Sequence, residues 1–109
     1  MYYYIASLIR IVDGDTVIAM VDLGFSTWKK VTIRLYGIDT PETRTKDLEE
    51  KEKGLAAKER LSQLLRYADF ELESVGVDKY GRCLGVLRIG ELNINKTLLS
   101  EGHAMEYYG

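Results

Sequence analysis

The sequence predicts an α+β protein: a five-stranded β-barrel with a long helix after the third strand and a short helix near the C-terminus. Three observations lead to this prediction. Five segments are rich in β-branched and aromatic residues, which are typical of strands. The segment after the third of them changes to a helical period, and a shorter segment with helical features follows the fifth.

Turn signals separate the five predicted strands. The first strand covers residues 2–11 and ends at VDGD, in which Asp-Gly is among the strongest hairpin-turn signals. The second strand is TVIAMVDL, closed by Gly24, and the third is WKKVTIRLY. DFELESV and CLGVLRI form the last two strands and are joined through GVDKYGR. The order is therefore three strands, a helix, two strands and a helix.

The third strand has a clear alternation. Val31, Ile33 and Leu35 share one face of the strand, and Arg34 lies on the other. We therefore expect the arginine to point away from the apolar side of its own strand.

Capping residues and helical spacing define the two helices. Asp47 with Glu50 three residues later resembles a capping pair, and a helix is predicted from there to about Tyr67. Its apolar positions follow helical spacing: Ala57, Leu61, Leu64, Leu65 and Ala68. LNINKTLLSEG predicts the short helix, with Asn93 as its N-cap and Gly102 where the helix stops.

This order of elements fits a five-stranded Greek-key barrel with a helix after strand three, which is the OB-fold. A ferredoxin-like sandwich would need a helix after the first strand, and the sequence shows none there. We expect a single domain over residues 1–109, because a chain of 109 residues is large enough for one core.

Composition restricts the classes of function. The net charge of −2 and the pI of about 5.4 argue against a protein that holds nucleic acid by broad attraction to phosphates. They leave room for an enzyme that handles phosphate locally. The single cysteine, Cys83, excludes an internal disulfide and is consistent with a reducing compartment.

No apolar run in the sequence reaches the ~20 residues that a membrane span needs, so we expect no membrane contact. The N-terminal segment shows no signal-peptide pattern, and we expect a cytoplasmic protein, with secretion left open if a leader has been removed. We also expect a monomer without a protein partner.

Four acids fall in two short segments: Asp13 and Asp15 in DGDT, and Asp39 and Glu42 in DTPE. Carboxylate and carbonyl oxygens are the ligands of hard cations such as Ca²⁺ and Mg²⁺. One histidine and one cysteine cannot build a usual zinc site. Each segment alone is also typical of a turn or a strand end. A turn and a cation site are compatible interpretations of the same segments, because loops often carry functional ligands.

Arg34 and Arg82 lie in or beside strands. A guanidinium presents a planar fork of donors that matches phosphate oxygens. Each arginine alone is also consistent with an ordinary surface position, and DKYGR with a plain hairpin turn.

The segments VDGDTV, IRLYGIDTPET and DKYGR, in this order around one long helix, resemble the signature segments of the staphylococcal nuclease (thermonuclease) family. LLSEGHAMEYY resembles that family's closing helix and tyrosine pair, so the likeness runs from about Ile9 to Tyr108. The resemblance implies an OB-fold and a Ca²⁺-dependent phosphodiesterase. Such enzymes cut single-stranded or frayed DNA and RNA and leave 3′-phosphates.

The resemblance also implies roles for the acidic residues. Asp15 and Asp39 match Ca²⁺-ligating carboxylates, and Thr40 matches a ligand that offers its backbone carbonyl. Glu42 matches the acid that positions or activates the attacking water.

Five further residues match the family's contacts with its substrate. Arg34 and Arg82 match the arginines that grip the scissile phosphate, and Lys79, Tyr80 and Tyr108 match other substrate contacts. The expected substrate is single-stranded DNA or RNA.

Two other hypotheses differ in class from a nuclease. The first is an OB-fold binding module that has lost catalysis, and the second is a Ca²⁺-stabilised interaction domain. A degenerate copy would be expected to lose acids or arginines, whereas Asp15, Arg34, Asp39, Glu42 and Arg82 are all present. Their presence favours an enzyme.

Overall fold

The computed structural model describes residues 2–108, so Met1 and Gly109, the ends of the predicted domain, lie outside the described residues. Five long strands are β1 (Tyr2–Asp13), β2 (Thr16–Asp22), β3 (Trp28–Leu35), β5 (Phe70–Val77) and β6 (Cys83–Ile89). Three short strands are β4 (Ile38–Asp39), β7 (Leu92–Asn93) and β8 (Met105–Glu106). The helices are α1 (Leu48–Leu65) and α2 (Ile94–Ser100).

The five long strands close into a barrel. They follow the order β3-β2-β1-β5-β6, and β6 then pairs with β3. That closing pair is parallel, with Ile33 opposite Cys83, and the other long strands pair antiparallel. The topology, with α1 after the third strand, confirms the predicted OB-fold.

The apolar strand faces that the alternation predicts point into the barrel and form its core. On β3, Ile33 and Leu35 are buried and Val31 is half-buried. The two helices contribute the following buried apolar residues to the interior: Ala57, Leu61, Leu65, Ile94 and Leu98. Arg34 therefore faces away from the core, as the sequence predicts.

The first helix begins as predicted and ends earlier. The Asp47 side chain accepts hydrogen bonds from the backbone N–H groups of Glu49 and Glu50, which makes it the N-cap. The predicted end at about Tyr67 was wrong by two residues: the helix ends at Leu65. The chain turns there, which places Phe70 in the core as the first residue of β5.

The short helix has its predicted caps. Asn93 accepts a hydrogen bond from the Lys96 N–H at 3.0 Å, and Gly102 has a left-handed φ of +82° just past the end. Leu92 and Asn93 pair with β6 rather than joining the helix. The pairing of β4 with β8 was not predicted. Among residues 2–108, no helix is long and apolar enough to cross a membrane.

Candidate functional site

Asp15 lies in the two-residue turn that joins β1 to β2. It is only 7% exposed, and both of its carboxylate oxygens accept hydrogen bonds. Oδ1 accepts from the Thr16 hydroxyl and Oδ2 from the Thr40 N–H, each at 3.0 Å. The neighbouring Gly14 packs on α1 so closely that a Cβ would lie 2.7 Å from the Cβ of Ala57. The turn is thus fixed against both the helix and the segment after β4.

Arg34, near the end of β3, is held by main-chain oxygens between two acids. Its Nη1 donates to the carbonyls of Leu35 and Ile38, at 3.1 and 2.8 Å. Its Nη2 donates to Asp39 Oδ1 at 3.2 Å, and Nη1 lies 3.5 Å from Asp15 Oδ2. The guanidinium therefore has a fixed position beside both carboxylates.

Asp15 and Asp39 lie close enough to affect each other's charge. Partial burial, followed by the negative charge of Asp15, raises the pKa of Asp39 above its ordinary value, while the positive charge of Arg34 opposes the shift. The Asp39 side chain is nevertheless 57% exposed, so solvent reaches it. Two acids placed this way favour a positive charge near them.

The donors around these acids fit a hard cation. Asp15 and Asp39 supply carboxylates, and Thr40 supplies backbone and hydroxyl oxygens. The Thr40 hydroxyl is buried with no hydrogen-bond partner among residues 2–108. The described chain has no group of three or more His, Cys, Asp or Glu side chains placed to share a metal ion. A cation here would therefore take several water ligands, which Ca²⁺ accommodates readily.

Glu42 opens onto the same cavity as the acids and arginines. This cavity has a volume of about 180 Å³. Its lining residues are Asp13, Asp15, Thr16, Arg34, Asp39, Thr40, Pro41, Glu42 and Arg82. The Glu42 side chain is exposed and, within residues 2–108, has no hydrogen-bond or ion-pair partner. Its carboxylate is thus available to a water molecule.

Gly54 of α1 lies directly beneath the segment that carries Glu42. A Cβ on Gly54 would lie 2.7 Å from the carbonyl oxygens of both Pro41 and Glu42. Real Cβ atoms do not approach backbone so closely, so the absence of a side chain lets the loop rest on the helix. Sequence reasoning missed this role, although a glycine inside a helical pattern is a signal of close packing.

Arg82 is held by Asp78, the first residue of the turn between β5 and β6. Nε of Arg82 donates to Asp78 Oδ2 at 2.7 Å, and the N–H groups of Tyr80 and Arg82 donate to Oδ1, each at 2.9 Å. Partial burial would raise the pKa of Asp78, but these N–H donors and the Arg82 charge lower it below its ordinary value. Asp78 therefore stays ionised beside Arg82, a role that sequence reasoning also missed.

A second, larger cleft of about 360 Å³ adjoins the cavity, and Arg34 and Arg82 line both. Lys79 and Tyr80 line it from the β5–β6 turn. The Tyr80 ring lies close to two cations, with Lys79 Nζ at 5.3 Å and Arg82 Cζ at 5.5 Å from its centroid.

Tyr108 also lines this cleft. Its ring packs edge-on against Tyr36 at a centroid distance of 5.5 Å. It also lies on Gly37, where a Cβ would be 3.0 Å from the Tyr108 ring. The Tyr107 N–H donates to the Gly37 carbonyl at 2.9 Å and fixes this segment.

The structure thus gathers the residues that the sequence singled out into two adjoining spaces. Six of them line the cavity: Asp15, Arg34, Asp39, Thr40, Glu42 and Arg82. The other three line the cleft together with Arg34 and Arg82: Lys79, Tyr80 and Tyr108. Asp13, which the sequence placed in the turn, accepts a hydrogen bond from the Thr43 hydroxyl at 2.5 Å and tethers the loop that bears Glu42.

Comparison with known proteins identifies a matching family. Residues 32–109 match the family described as staphylococcal nuclease homologue. The chain is 34% identical to the uncharacterized protein MJ1439 of Methanocaldococcus jannaschii over 96% of its length. It is 31% identical to a micrococcal nuclease of Shigella flexneri and 32% identical to endonuclease YncB of Bacillus subtilis, each over 94% of its length.

The relatives are longer than this chain. It spans 60% of the Methanocaldococcus protein, 59% of the Shigella nuclease and 47% of YncB. Its match with them therefore concerns the barrel and its site.

Proposed function

Because the chain belongs to the staphylococcal nuclease family, we propose that it is a nuclease: a phosphodiesterase that hydrolyses single-stranded or frayed DNA and RNA. One observation carries the proposal. The carboxylate of Glu42, which has no partner among residues 2–108, shares a cavity with two oriented guanidiniums, those of Arg34 and Arg82. The names of the micrococcal nuclease and YncB relatives support the same activity.

Glu42 acts as the general base in this proposal. It accepts a proton from a water molecule, the water oxygen bonds to phosphorus, and the bond from phosphorus to the 5′-oxygen breaks. The leaving 5′-oxygen takes a proton from solvent water, so the products are a 3′-phosphate and a 5′-hydroxyl. The role requires a carboxylate without competing partners, and Glu42 has none among the described residues.

Arg34 and Arg82 stabilise the charge that grows on the phosphoryl oxygens during attack. Their donors are worth most when they are oriented before the reaction begins. The carbonyls of Leu35 and Ile38 orient Arg34, and Asp78 orients Arg82. Each guanidinium retains further N–H donors that can bind phosphate.

Asp15, Asp39 and Thr40 hold Ca²⁺ in this proposal. When bound, the ion supplies positive charge and Lewis-acid polarisation at the phosphate. The support is the all-oxygen donor set and the raised pKa of Asp39, which reflects its partial burial first and the nearby negative charge of Asp15 second. Asp15 is fixed by its two hydrogen bonds, so its carboxylate needs little ordering to act as a ligand.

The adjoining cleft binds the nucleotide next to the scissile bond. Tyr80 and Tyr108 are 72% and 71% exposed there and offer ring surfaces for stacking. Lys79 adds a positive charge for a neighbouring phosphate. Stacking of this kind requires unpaired bases, which favours single-stranded or frayed substrates.

The test is the identity of the product ends. Single-stranded DNA labelled at its 5′ end is incubated with the protein and Ca²⁺, and the fragments are compared before and after phosphatase treatment. We expect 3′-phosphates, which block extension by a polymerase until they are removed. Fragments that end in a 3′-hydroxyl would overturn the proposed chemistry. Binding without any cleavage would assign the domain to the class of binding modules.

A further inference from the structure

The outer face of β2 and β3 continues from Arg34 to the far end of the barrel. Because side chains alternate along a strand, Arg34, Thr32, Lys30 and Trp28 point to the same side of β3. Their partners on β2 are, in the same order, Thr16, Ile18, Met20 and Asp22. Trp28 is six residues from Arg34, which corresponds to ~20 Å along an extended strand.

The far end of this face carries two side chains whose chemistry the fold does not use. Trp28 is 53% exposed, and its ring makes no aromatic or cation–π contact within residues 2–108. Lys30 is exposed and has no ion-pair partner in the same part of the chain. An exposed tryptophan beside an unpaired lysine is a combination suited to a base and a phosphate.

We propose that Trp28 and Lys30 form a distal subsite that binds the single strand beyond the catalytic cavity. Trp28 stacks on a base, and Lys30 contacts a backbone phosphate. The inference rests on the proposed nuclease function and extends it, because it makes affinity depend on substrate length. The distance from Arg34 fits the ~4 or more nucleotides that one OB-fold covers.

Charge and continuity favour a nucleic acid as the occupant. The chain carries a net charge of −2, so a polyanion needs local positive positions, and Arg34 and Lys30 lie on one line. The face of strands two and three is also where OB-folds bind oligonucleotides. Asp22, opposite Trp28, is an acid on this face, but its carboxylate accepts the Gly24 N–H at 2.8 Å.

A protein partner fits this face less well. Ile18 and Met20, the apolar residues between the two ends, are both half-buried. They leave little apolar area for an interface core, which in stable complexes is more apolar than the surrounding surface.

The only tryptophan in the sequence is Trp28, so its fluorescence reports the subsite directly. Glu42→Gln protein with Ca²⁺ is titrated with a thymidine dinucleotide and with an oligothymidylate of ~8 nucleotides, within the range that one OB-fold binds. We expect the longer strand to change Trp28 fluorescence and the dinucleotide to leave it unchanged.

Variants at the subsite separate distal binding from catalysis. Trp28→Ala should weaken binding of the long strand by ~5-fold to ~150-fold, the range for one lost base stack. Lys30→Gln should reduce the slope of log affinity against log salt by ~0.7, the value for one phosphate contact on a single strand. Both variants, made in the active protein, should cleave the dinucleotide at the wild-type rate.

Two substitutions outside the subsite provide matched controls. Lys29→Gln removes the adjacent lysine, which lies opposite the buried Val21 and so belongs to the other side of β3. Tyr67→Ala removes another exposed aromatic ring, 87% exposed just after α1. Neither should change the affinity for the long strand.

Two results would overturn the subsite. The first is that the long strand leaves Trp28 fluorescence unchanged. The second is that both variants bind the long strand as tightly as the controls do. Concentration-dependent self-association that Trp28→Ala abolishes would also overturn it and assign the face to a contact between two copies. Failure of the unsubstituted protein to cleave any substrate would instead count against the proposed function. The fluorescence titration remains informative in that case.

Discussion

One carboxylate, that of Asp78, holds both the main chain and the side chain of Arg82. Oδ1 accepts the Arg82 N–H at 2.9 Å, and Oδ2 accepts the Arg82 Nε–H at 2.7 Å. A guanidinium at the end of a long, flexible side chain thereby receives one orientation. In the proposed reaction, that orientation directs its remaining donors toward the phosphate.

Replacing Asp78 with Asn should lower turnover by ~10-fold, the loss expected for one charge-assisted hydrogen bond. The melting temperature should change little. The amide oxygen can still accept the N–H donors of the turn, but the charge-assisted bond to Nε is lost. Turnover and melting temperature should be measured together. Asp69→Asn, at an exposed acid just before β5, is the matched control. Wild-type turnover in Asp78→Asn would show that Arg82 needs no such support.

Gly54→Ala should reduce turnover, although alanine is the better helix former. Helix propensity alone would stabilise the protein by ~1 kcal/mol. The new Cβ would, however, meet the carbonyl oxygens of Pro41 and Glu42 at 2.7 Å, so the loop must shift. A misplacement of a catalytic base by ~1 Å can cost ~10²-fold in rate. Glu52→Ala, at an exposed position of the same helix, should leave turnover unchanged.

The two outcomes for Gly54→Ala are easily distinguished. A raised melting temperature with full activity would mean that the loop tolerates the shift and that Glu42 is not sensitive to its position. A loss of turnover at unchanged melting temperature would link the helix to the placement of the base.

Glu42→Gln should reduce turnover by ~10²-fold or more, the usual contribution of general-base catalysis. Substrate and Ca²⁺ binding should persist, because Glu42 makes no hydrogen bond or ion pair with the described chain that its loss would disrupt. Pre-steady-state cleavage and binding by anisotropy measure the two quantities. Glu52→Gln provides the control for charge alone. Near-normal turnover in Glu42→Gln would assign the base to another group.

Arg82→Lys and Arg34→Lys should both lower turnover by ~10²-fold, since a point charge cannot reproduce the fork of a guanidinium. Arg82→Lys is the cleaner test, because Arg34 also supports the main chain through the carbonyls of Leu35 and Ile38. Arg66→Lys, at the exposed end of α1, is the control. Weaker substrate binding with unchanged turnover would assign both arginines to ground-state binding.

Much of the barrel could be predicted because its signals are local. The alternation around Val31, Ile33 and Leu35 is a property of one strand, and Asp47 and Asn93 cap helices through residues two or three positions away. The two-residue strands β4 and β8 are too short to show any period. Their pairing depends on how the chain returns after α2, which no local pattern records.

The residues that the sequence singled out lie together in the fold, but the contacts that support them were not predicted. Motif resemblance named nine residues that line the cavity or the cleft, and it left out others such as Asp78 and Tyr107. The support of Glu42 by Gly54 depends on a contact between α1 and a loop, and the packing of Gly37 under Tyr108 depends on the return of the last segment. Contacts of this kind depend on tertiary packing, so the sequence could indicate only that a glycine was unusual there.

Cleavage of single-stranded DNA at matched concentrations of Ca²⁺ and Mg²⁺, after treatment with a chelator, tests the proposed catalytic site most directly. In the proposal, Asp15 and Asp39 are the two carboxylate ligands, so water would fill much of the coordination shell. Ca²⁺ accepts such flexible shells, whereas Mg²⁺ demands a tight octahedron. We predict no cleavage after chelation, full activity with Ca²⁺ and little with Mg²⁺. Full activity with Mg²⁺ alone, or activity that survives chelation, would contradict the account.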